Sequence, residues 1–80
     1  RRRPQPRHVL LVFSGINLVD VSGIEMLTRF NQNLAQVGLS LHLAEVKTRV
    51  MLQLESGNLP EALSGRVFTT TDQALRILAE

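Results

Sequence analysis

Two periodicities take turns along the chain. His8-Val9-Leu10-Leu11-Val12-Phe13 is a continuous apolar run rich in β-forming residues, the pattern of a strand covered on both faces. Ser14-Gly15 ends it, and residues 16–20 lead to the next element. From Ser22 to Val37 the spacing becomes helical. Ile24, Leu27, Phe30, Leu34 and Val37 form one stripe, with Glu25, Arg29, Gln32 and Gln36 mainly opposite. Gly38 stands where a left-handed residue closes a helix. Leu39 to Ala44 alternates large apolar with small or polar residues, which predicts a strand carrying His42 on its polar face. Lys47 to Ser56 predicts a second helix, with Val50, Met51 and Leu54 inward and Gly57 as its stop. Asn58-Leu59-Pro60 reads as a turn and Arg66-Val67-Phe68 as a short strand. Thr70 and Gln73 form a capping box that opens a last helix, whose apolar face is Ala74, Leu75, Ile77 and Leu78.

The order is βαβαβα, so the fold class is α/β, with a small, mostly parallel sheet and right-handed crossover helices. The fully apolar first run is expected in the middle of that sheet, with one side unprotected by the chain's own residues. Such an edge invites self-association. Residues 1–7, Arg-Arg-Arg-Pro-Gln-Pro-Arg, resemble a helix stop with no helix before it. They read as a basic connector, either the end of a missing helix or a disordered tail. The folded domain is then expected over 8–80, lacking amino-terminal strands and a helix.

Composition narrows the choice. Eighty residues suit one domain, and 44% apolar content supports a core. With three Phe and no Trp or Tyr, that core must be aliphatic. The absence of Cys excludes a disulfide framework and a thiolate metal site. No apolar run approaches the ~18 residues of a membrane span, and no signal peptide is visible. Arg1, Arg2, Arg3 and Arg7 supply four of the nine basic residues, whereas from residue 8 onward five basic residues face seven acidic ones. The high pI belongs to the arm. A slightly acidic folded part with few aromatics argues against nucleic-acid binding.

Candidate chemistry concentrates in Leu18-Val19-Asp20-Val21-Ser22-Gly23-Ile24-Glu25, where a connection passes into a helix. Functional loops of open parallel sheets gather at this carboxyl end, and helix amides there favour negative charge. Asp20, Val21, Ser22 and Gly23 are thus a candidate switch or partner-binding loop, and a phosphate on Ser22 would be tolerated electrostatically. The same residues admit a purely structural reading, since Ser22 and Glu25 match an S-x-x-E capping box and Asp20 can also cap. No G-x-G-x-x-G, Walker A or G-x-S-x-G motif occurs. His8 and His42 lack neighbours at metal-ligand spacing, and Lys47, Arg49 and Arg66 read as solvated surface. No catalytic, cofactor-binding or metal-binding residue is assigned, and the chain is expected not to be an enzyme.

Asp20-Val21-Ser22-Gly23-Ile24 resembles the D-x-[ST]-G-[LI] motif of STAS domains. The likeness continues through Val37-Gly38-Leu39-Ser40-Leu41-His42-Leu43-Ala44 and Ser56-Gly57. It ends in Val67-Phe68-Thr69-Thr70-Thr71-Asp72-Gln73-Ala74-Leu75, covering residues 8–79. That last block is more similar to the STAS domains of sulfate permease (SulP)-type anion transporters than to anti-sigma factor antagonists, which share the central motif. The resemblance implies a STAS-like fold and a cytoplasmic regulatory and protein-interaction domain of an inner- or plasma-membrane transporter of sulfate or another anion. The parent transmembrane domain would be one partner and further protein partners are unspecified. The alternative that the shared central motif implies is a soluble anti-sigma factor antagonist switched by phosphorylation of Ser22.

Overall fold

The structure, a computed structural model, describes residues 7–79. The expected connector at 1–7 therefore falls, but for Arg7, outside the described residues. The elements are β1 (His8–Val12), α1 (Val21–Gln36), β2 (Ser40–Ala44), α2 (Thr48–Ser56), α3 (Leu59–Ala62), β3 (Val67–Phe68) and α4 (Thr71–Leu78). β1 and β3 both pair in parallel with β2, giving the order β1-β2-β3 with His8 opposite Ser40 and Leu43 opposite Val67. The parallel α/β fold is as the periodicities predict.

Two layers of helix cover the sheet. On one face Val9, Leu11, Leu41 and Leu43 meet Ile24, Leu27 and Leu34 of α1, Val50 and Leu54 of α2, and Leu59 of α3. On the other, Leu10, Ala44 and Phe68 meet Ala74 and Leu78 of α4. A strand with partners on both sides and helices on both faces loses all contact with water, and Leu41, Leu43 and Ala44 are fully buried. β2 is therefore the central strand. β1, expected in the middle, is an edge among the described residues, and its end residues His8 and Val12 are exposed. One of its sides has no strand among the described residues, as the expectation of an unprotected edge has it, and its apolar run packs against helices above and below.

Two helix faces differ from their predicted stripes, and one predicted turn is a helix. α1 turns inward along Ile24, Leu27, Asn31 and Leu34, while Phe30 and Val37 are exposed. Asn31 takes the buried place because both the nitrogen and the oxygen of its amide are hydrogen-bonded. It donates to Ala62 O and accepts from both the amide and the hydroxyl of Ser64, all at 2.9 Å. α4 packs through Ala74 and Leu78, leaving Leu75 and Ile77 exposed. The expected turn at 58–60 is instead the start of α3. Asn58 adopts a left-handed conformation and Pro60 sits in the first turn, where its missing N–H is no loss.

The helix ends follow the sequence more closely. α1 closes in a Schellman motif: Gly38 (φ 82°) donates to Ala35 O and Leu39 to Leu34 O. Thr70 caps α4 by accepting from the Gln73 amide at 3.0 Å. The Gln73 side chain reaches one residue further back than a capping box requires, to the Thr69 amide. No helix among the described residues is long and apolar enough to cross a membrane.

Candidate functional site: the passage from β1 into α1

After β1 the chain turns at once, with the Ile16 amide donating to Phe13 O at 2.8 Å. The turn is clamped from outside. The Lys47 ammonium, at the far end of β2, donates to Ser14 O at 2.7 Å and to Ile16 O at 3.4 Å. Further along, the Val19 amide donates to the Gln53 side chain of α2 at 2.9 Å. Lys47 is thus a structural clamp, although its backbone position is exposed as expected.

Asp20 ends the passage in an extended conformation and is the N-cap of α1. Its carboxylate accepts from the Gly23 amide at 2.8 Å. This corrects the expected capping box: Ser22 lies inside the first turn and the cap belongs to the residue two places earlier. A carboxylate at a helix start also complements the partial positive charge there. Gly23 is tightly placed, since a side chain at this position would meet Val19 Cγ1 at 3.1 Å and Asp20 Oδ1 at 3.3 Å. Val21 and Ser22 point away, both exposed, and the Ser22 hydroxyl has no hydrogen-bond partner among the described residues. The four predicted site residues are thus brought together on one rigid corner, two of them holding it and two displayed by it.

Apolar surface surrounds this corner. Leu18, Val21 and Met26 are 68%, 73% and 64% exposed, an unusual share for large apolar side chains. Leu18, Ile16 and Met26 rim an open groove of about 350 Å³ floored by Phe13 and Leu27. A second open groove of about 550 Å³ runs on the other side of Val21, past Glu25, Arg29 and Gln32 to Ser56 and Gly57. Among the described residues no three His, Asp or Glu side chains converge as metal ligands. The two histidines lie on the strands at the other end of β1, away from Ser22.

Two side-chain clusters have no local signal in the sequence. One is the Asn31–Ser64 pair. The other joins His8 Nδ1 to His42 Nε2 at 2.9 Å and the Arg66 amide to His42 Nδ1 at 2.9 Å. His42 is therefore buried, not on a polar face, and it stacks against Phe68 with ring centroids 5.7 Å apart. Burial first, then the neighbouring His8 and Arg66, holds its imidazole below the ordinary value of 6.5.

The fold is a parallel α/β domain with one braced corner at the carboxyl end of its sheet. The STAS domain family matches residues 2–74, and the chain belongs to that family. STAS domains are regulatory and protein-interaction modules. No curated protein matches the chain.

Proposed function

We propose that this STAS domain is the cytoplasmic regulatory domain of a sulfate permease-type anion transporter, and that it engages protein partners through Asp20, Val21, Ser22 and Gly23. The exposed Ser22 carries the partner-facing part of this reading: Asp20 caps the helix, so the hydroxyl beside it has no structural task. The transporter part is supported by the resemblance of the Val67 to Leu75 block, which forms β3 and the capped start of α4. In this reading the domain binds without catalysing, takes no cofactor or metal, and does not recognise nucleic acid. The parent transmembrane domain is one partner. A second copy could pair along the outer edge of β1, which has no strand beside it among the described residues.

The same free hydroxyl favours one other reading, a soluble anti-sigma factor antagonist in which phosphorylation of Ser22 switches binding. The coding sequence upstream of Arg1 separates the two, because a transporter requires several apolar segments of about 20 residues each. Anion uptake by cells expressing that full reading frame is expected to respond to Ser22→Asp while protein level stays constant. A short polar start, together with a kinase that phosphorylates Ser22, would replace the transporter by the antagonist.

A further inference from the structure

We propose that His8 and His42 form a proton-sensitive latch that fastens the beginning of β1 to the start of β3, closed only when both rings are neutral. The geometry of these contacts fixes where the protons lie. The Arg66 backbone N–H can only donate, so His42 Nδ1 must be an unprotonated acceptor. A neutral His42 then carries its single proton on Nε2, the atom 2.9 Å from His8 Nδ1. His8 Nδ1 must in turn be bare to accept it. One arrangement of protons satisfies all three groups.

Adding a proton to either ring breaks it. A proton on His42 Nδ1 faces the Arg66 N–H, so two donors meet and that bond is lost. A proton on His8 Nδ1 faces His42 Nε2–H with the same result. Among the described residues no carboxylate offsets the added charge. The groups facing His42 are His8 from β1 and Arg66 ahead of β3, both able to carry positive charge. Arg66 lays its guanidinium over Phe68, 5.1 Å from the ring centroid. Glu45, the nearest acid along the chain from β2, is committed to the Thr71 amide at 2.8 Å, and Asp72 and Arg76 of α4 are exposed. The lowered affinity of His42 for a proton agrees with this setting.

The latch joins three places remote in sequence. Here the Arg7 carbonyl accepts from the Ser40 amide at 2.9 Å, so the same region tethers the chain's approach to the sheet. The connection into β3 is packed too closely to move alone, because a Cβ on Gly65 would lie 2.4 Å from Leu41 O and 2.5 Å from His42 Nδ1. Opening the latch therefore frees the outer end of β1 and the 65–66 connection together. The braced corner at Asp20, held by Lys47 and Gln53, is independent of it.

Nitrogen-15 NMR of the imidazole rings and amide hydrogen exchange test this directly. At about pH 7.5 His42 is expected as the Nε2–H tautomer, titrating below the ordinary imidazole value of 6.5. On lowering pH to about 5, across the imidazole range, protection of the Arg66 amide and of the β1 amides should fall several-fold together, while α1 is unchanged. His42→Asn, whose side-chain oxygen can still accept from Arg66, should remove that pH dependence. An Nδ1–H tautomer in the wild type at neutral pH would overturn the proposal even if the variant fails to fold. So would pH-independent protection, or the same pH response in His42→Asn.

Discussion

The Gly23 amide donates to the Asp20 carboxylate at 2.8 Å, and this one contact decides what Ser22 is free to do. A helix start needs few side-chain acceptors, and Asp20 already supplies one. Asp20→Ala is therefore expected to lower stability by about 1 kcal/mol, and Asp20→Asn to retain most of it. Ser22→Ala should stay within about 0.5 kcal/mol of wild type. Urea unfolding of the three variants makes the comparison. A Ser22→Ala cost equal to that of Asp20→Ala would give the hydroxyl a structural role and weaken its assignment to partners.

Asn31 replaces an apolar residue at the centre of the stripe on α1, and removing it strands several groups at once. Asn31→Ala leaves Ala62 O and the Ser64 amide without their partners, and Asn31→Leu does the same while restoring volume. Both should cost about 2 kcal/mol or more, since buried unpaired polar groups carry ~1–3 kcal/mol each. If the leucine variant is as stable as wild type, the amide serves no purpose that a hydrophobe could not.

Gly65 and Gly15 make a matched pair. A methyl group at 65 would collide with the Leu41 carbonyl and the His42 ring, whereas one at 15 meets nothing within 4 Å. Gly65→Ala is expected to destabilise by about 1–3 kcal/mol as an overpacked site, and Gly15→Ala to be near neutral. Thermal melting of the two variants side by side would show a difference of several degrees.

Acid should weaken the fold through His42. Its proton affinity is lowered in the folded state from 6.5, the value that the unfolded chain keeps. Well above 6.5 both states hold a neutral ring and the fold has its full stability. As pH falls below that value the unfolded chain takes up a proton that the folded chain resists. Stability then declines until pH passes the folded value and the loss levels off. Melting temperature is expected to drop over this window in wild type and to drop less in His42→Asn. Identical pH profiles for both proteins would remove His42 as the cause.

The fold was largely legible because its helices and strands each bury a continuous apolar pattern. The four-residue corner was legible because a helix start after a loop leaves a local mark. Strand order was not: the run at β1 is apolar because helices lie above and below it, a pattern that an edge and a centre can share. Asn31, His42 and Ser64 escaped for a different reason. Their partners lie 23 to 34 residues away, and a polar residue reads as surface until its partner is known. Lys47 and Gln53 were hidden in the same way, since each braces a turn 31 to 34 residues upstream.

That β2 is the sole neighbour of both other strands among the described residues also fixes a timetable. Parallel strands cannot meet through a tight hairpin, and each pairing must wait for a crossover helix to be in place. His8 meets Ser40, and Leu43 meets Val67, only after long stretches of chain have been ordered between them. Among the described residues, therefore, no strand finds its partner until the chain has passed through α1 into β2.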